Sequence, residues 1–295
     1  MRTLSKLFVS AAMFVAALTV KAENPIPAEY KQGGFAIGCQ AYTFRMFSAM
    51  EAIEKTAQAG GRVIEFYPGQ KFSKEEPNLK WDHTATDEMV SKIKNKLDEY
   101  NVRAVNYGVV FGPDSNPSEE EWRKVFEFAK KLNLYAITTE SEKTLDIIEK
   151  LVKEYDIKVG IHEHAKNPNK PNYRLWDPNY VLSLIKDRDI RIGACADTGH
   201  WVRSGLKPVE CLQILRGRII SVHMKDLKEF GKVSSHDVPF GTGVSDIPGI
   251  LNELKDMAFD GNISVEYEYN WEHSVPEVAQ CIGFVRGYGM GKNWQ

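Results

Sequence analysis

Two runs decide the fold: 190-IRIGACADTGHWVRSG-205 and, after a helix-like segment, 217-GRIISVHMKDL-227. Each holds a short apolar stretch rich in Ile, Val or Ala that breaks off into ionisable residues. Asp197 and His200 follow the first; His223, Lys225 and Asp226 end the second. Such groups are costly beside a hydrophobic strand unless they are paired or used. A strand that ends in them and hands over to a helix is how a parallel α/β barrel builds its working rim. Side chains two apart on a strand share a face, so His223 and Lys225 point one way together, as do Cys195 and Asp197. An Asp and a His from neighbouring strand ends make half of a divalent-metal site.

The same alternation extends in both directions. Strands are expected at 35–44, 62–69, 102–112, 134–140 and 157–165, then in the two quoted runs, and last at 262–269. Segments with helical spacing separate them, at 48–60, 87–100 (capped by Thr86), 119–133, 143–156, 179–187, 207–217 and 246–259, with a closing one at 274–289. Acidic residues open 119–133 and lysines close it, as the helix dipole favours. Strands alternating with amphipathic helices call for a parallel sheet, and eight strands close a barrel. The expected fold is therefore a (β/α)8 TIM barrel in one domain over 35–295, preceded by a Pro/Gly-bearing lead-in at 23–34. A doubly wound open sheet competes less well: no G-x-G-x-x-G follows the first strand and no P-loop occurs.

Composition agrees with a large core. Of 295 residues, 43% are hydrophobic and 26% charged, with a net charge of −2 and no basic run, so nothing recommends a nucleic-acid partner. Arg2 and Lys6 precede the apolar stretch LFVSAAMFVAALTV, and Val20-Lys21-Ala22 offers a small–x–small cleavage site. That three-part pattern reads as a signal peptide over 1–22, removed near Ala22, giving a periplasmic or secreted product without a membrane anchor. The four cysteines are too widely spaced for a metal motif or a disulfide framework, so buried free thiols are expected, with a single bridge left open.

Collected at the expected strand ends, the polar residues are Glu140, His162, His164, Asp197, His200, His223, Lys225, Glu266 and Glu268. They come from five consecutive strands and would converge on one rim. In I-H-E-H-A the two histidines share a face, so Glu163 is expected to turn toward the helices unless the strand has already ended. Glu65, on the second strand, reads as an interior ion-pair partner. The mixed oxygen and nitrogen donors suit one Mn²⁺, Mg²⁺, Co²⁺ or Zn²⁺ ion and not a thiolate-bound metal.

D-T-G-H after strand six, H-M-K-D after strand seven and S-V-E-Y-E on strand eight resemble the xylose-isomerase-like TIM-barrel superfamily over roughly 35–285. That superfamily includes sugar isomerases and epimerases, inosose dehydratase and endonuclease IV. The resemblance implies metal ligands at Asp197, His223 and Glu266. The fourth ligand departs from the common pattern, because His162 stands where many relatives carry a strand-five Glu. Inosose-dehydratase-like members take their Glu from strand four, which implies Glu140 here, with His162 as its replacement.

The expected chemistry is proton abstraction beside the carbonyl of a non-phosphorylated keto-sugar, through an enediolate. Glu140 and Glu266 would flank the substrate, with Lys225 and His164 as further catalytic groups. His162, His200, Glu268 and the loop residue His236 would bind sugar hydroxyls. Elimination from a 3-keto-glycoside would use the same site, and a non-catalytic sugar- or metal-binding barrel is the reading from another class. Trp176, Trp201 and Trp271 are expected to be exposed and to stack on a sugar or bury a contact between copies, the oligomeric state being open.

Overall fold

A computed structural model describes residues 25–294. The signal peptide expected over 1–22 lies outside them. Eight parallel strands form the inner wall: β1 Phe35–Gln40, β2 Val63–Phe66, β3 Arg103–Val110, β4 Ala136–Thr139, β5 Lys158–Ile161, β6 Ile192–Asp197, β7 Ile219–Met224 and β8 Asn262–Val265. Each pairs with the next, and β8 pairs with β1 through Asn262–Ala36 to Val265–Cys39, so the ring is closed. The sheet therefore has no open edge along these strands.

The outer layer consists of α1 Ala49–Gln58, α2 Asp87–Tyr100, α3 Glu119–Lys131, α4 Leu145–Tyr155, α5 Pro178–Ile185, α6 Thr198–Arg203, α7 Pro208–Ile214, α8 Ile247–Asp256 and α9 Val275–Gly291. Local chemistry starts these helices where the sequence says. Ser48 and Ser118 each form a reciprocal capping box, with Glu51 and Glu121, and Thr86 caps Met89 N. Between the layers lies the main core, in which Phe66, Trp81, Trp122 and Phe126 are fully buried. No described helix is long and apolar enough to cross a membrane. All four cysteines are free and buried.

The strands stop sooner at the rim end than the apolar patterns suggest, and β4 also starts two residues later, at Ala136. β1 gives way at Ala41 to a 3-10 turn, because the Gln40 side chain accepts a hydrogen bond from Tyr42 N at 2.8 Å and curls the chain. β5 ends at Ile161 and β8 at Val265, so His162–His164 and Glu266–Glu268 belong to loops. Period-two alternation no longer governs them there. Trp201, expected on the surface, is buried on the inward side of α6, whereas Trp176 and Trp271 are half-buried.

Close approach between strands fixes some residue types. At Gly38 of β1 an added Cβ would fall onto the backbone of Val63 in β2. Gly38→Ala should therefore force the two strands apart and destabilise the barrel by about 3 kcal/mol or more. Urea unfolding followed by circular dichroism checks this; an unchanged midpoint would remove the packing argument.

Candidate metal centre and cavity

The rim is assembled from strand ends in sequence order. Asp197, the last residue of β6, divides its oxygens between two tasks. Oδ1 accepts from His200 N at 2.8 Å and so starts α6, while Oδ2 faces the barrel axis. There it meets the ammonium of Lys225, His162 Nε2 at 3.6 Å and His223 Nδ1 at 3.9 Å. Lys225 also donates to Glu266 Oε2, which lies 3.3 Å from His223 Nδ1. The glycine of D-T-G-H makes room for this arrangement: a Cβ on Gly199 would come within 2.6 Å of the Lys225 stem.

One donor atom from each of His162, Asp197, His223 and Glu266 lies within 4.8 Å of the other three, and all four residues are buried. Among the described residues His162 Nε2 and His223 Nδ1 find no hydrogen bond of good geometry, although carboxylate oxygens lie 3.6 Å and 3.3 Å away. Buried imidazole nitrogens are normally satisfied. Here the two unsatisfied ones are the two that face the cluster, and their opposite nitrogens are held by carboxylates. His223 Nε2 lies 3.0 Å from Glu65 Oε1, and His162 Nδ1 lies 3.0 Å from Glu140 Oε1. This carboxylate–imidazole arrangement aims a lone pair inward, as metal-binding histidines require. The donor set thus fits one hard or borderline divalent cation.

Glu140 stands apart from the four. It lies behind His162 and His164, with Oε1 2.5 Å from His164 Nδ1 and accepting from the Tyr173 hydroxyl at 3.2 Å. Burial would raise its pKa, but hydrogen bonds from His162 and His164 outweigh this and hold the carboxyl well below the usual range. Within the cluster of four the additional donor is His162; Glu140 lies behind it, in a second group with His162 and His164 whose donor atoms also lie within 4.8 Å of one another.

Beside the cluster opens a cavity of about 260 Å³, lined by His162, His164, His200, Glu266 and Glu268 and by Gln40, Tyr42 and Tyr67. Among the described residues no lysine or arginine lines it. His200 is buried and pushed well below the ordinary histidine range, first by loss of solvent and then by neighbouring Lys225, so it is neutral. Its Nδ1 sits 3.4 Å from Arg203 Nη1, a donor, which places the remaining hydrogen on Nε2. Glu268 accepts from Arg203 at 2.8 Å. Lys225 itself is buried beneath the cavity; desolvation opposes its charge, but Asp197 and Glu266 keep it protonated. His236 does not line the cavity; its ring lies 4.4 Å from that of Tyr269.

A family model described as xylose isomerase-like TIM barrel matches residues 53–285. The chain belongs to this family. It is 31% identical over 129 residues to an uncharacterised protein of Methanocaldococcus jannaschii, 42% of this chain and 41% of that protein. It is 28% identical over 172 residues to the inosose dehydratase of Clostridium tetani, 51% of this chain and 48% of that enzyme. The chain thus spans less than half the length of these curated relatives. Among solved structures, an uncharacterised protein from Parabacteroides distasonis aligns with TM-score 0.67 and 30% identity over 86% of this chain and 99% of its own. A Methylomonas D-allulose 3-epimerase aligns with TM-score 0.66 and 17% identity over 88% and 99%, a likeness of fold.

Three supporting residues escape a reading by strand ends. Glu163, buried just past β5, accepts from Asp197 N at 2.8 Å and so holds the β6 end in place. Burial pushes its carboxyl well above the ordinary range. Tyr173 comes from the proline-rich loop, where no periodic pattern points inward. Arg203 carries a weak signal, one helical turn beyond His200. Glu65 is an interior partner, accepting also from Ser264 Oγ at 2.8 Å. Glu65→Leu should strand His223 and Ser264 and cost about 3–5 kcal/mol, whereas Glu65→Gln, which retains an acceptor, should cost clearly less. Paired urea titrations decide; equal losses would reduce Glu65 to a space-filler.

Proposed function

We propose that this chain is a divalent-metal-dependent enzyme that removes the proton beside the carbonyl of a non-phosphorylated keto-sugar, the reaction passing through an enediolate and ending in isomerisation or epimerisation. The observation that carries this reading is the pair of unsatisfied imidazole nitrogens aimed at two buried carboxylates on the floor of a sugar-sized cavity. His162, Asp197, His223 and Glu266 would hold the cation. A divalent ion held there supplies the positive charge that stabilises a developing oxyanion.

The chain's own groups account for the proton movements. Glu266 commits Oε2 to Lys225 and His223, and the residue lines the cavity, so its carboxylate is available as the base on one wall. His164 comes from the β5 end, three strands away around the ring, with Nδ1 held by Glu140 and Nε2 left for the opposite face of the substrate. This pairing gives Glu140 the part of orienter, with His164 as the group that returns the proton. His200 Nε2–H and Glu268 would hold hydroxyls, and Lys225 keeps the buried carboxylates charged. A cavity bearing two carboxylates and no basic lining disfavours a phosphorylated sugar.

Elimination is the second reading, favoured by the likeness to inosose dehydratase and by His200 Nε2–H, which would hydrogen-bond a departing oxygen. A 3-keto-glycoside is a suitable substrate for it. Proton NMR in D₂O with Mg²⁺-loaded protein and a panel of free ketoses, aldoses and 3-keto-glycosides tests both readings. Deuterium should enter beside the carbonyl, and the product distinguishes epimerisation from elimination. Glu266→Gln should slow exchange about 10²–10⁴-fold and His164→Gln by a similar order, with Glu140→Gln acting through His164. Bound sugar and metal without exchange of any substrate would leave a non-catalytic binding barrel.

Cation uptake carries its own pH signature. Burial works against charge on His162 and His223, yet Asp197 and Glu140 around the first, and Cys195, Glu65 and Glu266 around the second, push both well above the ordinary 6.5. Imidazolium cannot ligate, so the ion must expel those protons. Affinity should therefore rise with pH through and above that value, by about tenfold per unit for each proton released. Calorimetry in buffers of different ionisation heat measures the release; a pH-independent affinity would exclude the two histidines as ligands.

A further inference from the structure

We infer that the rim cavity is the inner half of a two-ring site and that Tyr42, Tyr67 and Trp271 form a platform for the second ring of a glycoside. The inference rests on the proposed keto-sugar chemistry and adds the size and class of its substrate. At about 260 Å³ the cavity falls below the roughly 300–1,000 Å³ usual for small-molecule sites. It has room for one sugar ring. Its lining includes the ionisable His162, His164, His200, Glu266 and Glu268, and also Tyr42 and Tyr67.

The aromatic groups continue outward from there. The Tyr42 ring meets Tyr67 edge-on at 5.2 Å between centroids and meets Trp271 edge-on at 5.8 Å. All three come from the loops just beyond β1, β2 and β8, and all three are half-buried, unlike the core rings Phe44, Phe66 and Trp81, which are fully buried. Tyr67 packs against the core from its edge, but core packing does not account for Tyr42 or Trp271. They are also held still. Gln40 anchors the Tyr42 backbone while donating to Gly108 O at 2.8 Å, and Arg45 donates to the Tyr42 hydroxyl at 2.7 Å. The Arg45 guanidinium lies 4.1 Å from the Trp271 ring centre.

Preset Tyr and Trp side chains offer apolar area at low entropic cost, with polar edges for hydroxyls. A ring with a face of C–H groups, joined to the keto-sugar by its glycosidic oxygen, would rest on this platform while the first ring fills the cavity. A second sugar and an aryl group share that chemistry.

The test is calorimetry with the Mg²⁺-loaded full chain and four ligands: 3-ketoglucose, its methyl glycoside, its phenyl glycoside and a 3-keto-disaccharide. A phenyl or disaccharide ligand should bind at least tenfold more tightly than the methyl glycoside, and whichever gains more names the second ring. Trp271→Ala should erase most of that gain, and Trp271→Phe should keep most of it. Equal affinities across the glycosides, or a Trp271→Ala loss shared by every ligand, would overturn the platform. Deuterium exchange in the same samples separates the two claims. Exchange without a two-ring preference sinks the platform alone, whereas the preference without exchange sinks the keto-sugar chemistry alone. A failure of all four ligands to bind refutes both.

Discussion

Asp197 and Glu266 are buried carboxylates at the top of a closed barrel, and the whole rim follows from how their charge is met. An isolated buried anion would take up a proton rather than remain charged. Here the Lys225 ammonium stands between the two, and His162 and His223 flank them. Desolvation opposes every one of these charges, but the group as a whole overcomes it: both carboxyls are held well below their ordinary range. Further anions, Glu65 and Glu140, then stand behind the histidines. The result is alternating sign from the barrel wall inward, with His162 Nε2 and His223 Nδ1 turned toward its centre.

That alternation explains why the motifs are spaced as they are. Gly199 is two residues beyond Asp197 because a side chain there would displace Lys225. Asp226, next to Lys225, accepts from Gly241 N, Gly243 N and Ser245 N and so ties the long loop after β7 to the strand end. Arg203, one turn into α6, binds Glu268 and Asp237 and joins that loop to the β8 end. H-M-K-D therefore supplies two residues that face the centre, His223 and Lys225, and one that fixes the surrounding loop, Asp226.

Much of this was legible in the chain. Alternating apolar runs and capped helices were enough to count eight units and close them, because strand and helix periods are local properties. The rim residues could be collected because ionisable groups are rare at the ends of apolar strands. The exact strand ends were not legible, since they depend on the last ladder hydrogen bond and on side chains such as Gln40. That uncertainty matters most at I-H-E-H: with β5 ending at Ile161, Glu163 folds inward onto Asp197 N, and His162 reaches the cluster while Glu140 is left behind it. Tyr173 and the Tyr42–Tyr67–Trp271 group depend on loop geometry, which no local period encodes.

The early ending of the strands separates two kinds of inheritance. His162, His164, Glu266 and Glu268 all lie one to three residues past the last laddered position of β5 or β8. His162 N and Glu266 N still donate to Thr139 O and Met224 O of the neighbouring strands, but these bonds use backbone groups that any residue other than proline supplies, so exchanging the four side chains leaves the staves of the barrel untouched. Residues such as Gly38 and Phe126 are the reverse, fixed by packing and silent in chemistry. Descendants of such a chain can change what they act on by rewriting a few loop positions, while the wall that presents them passes on unaltered.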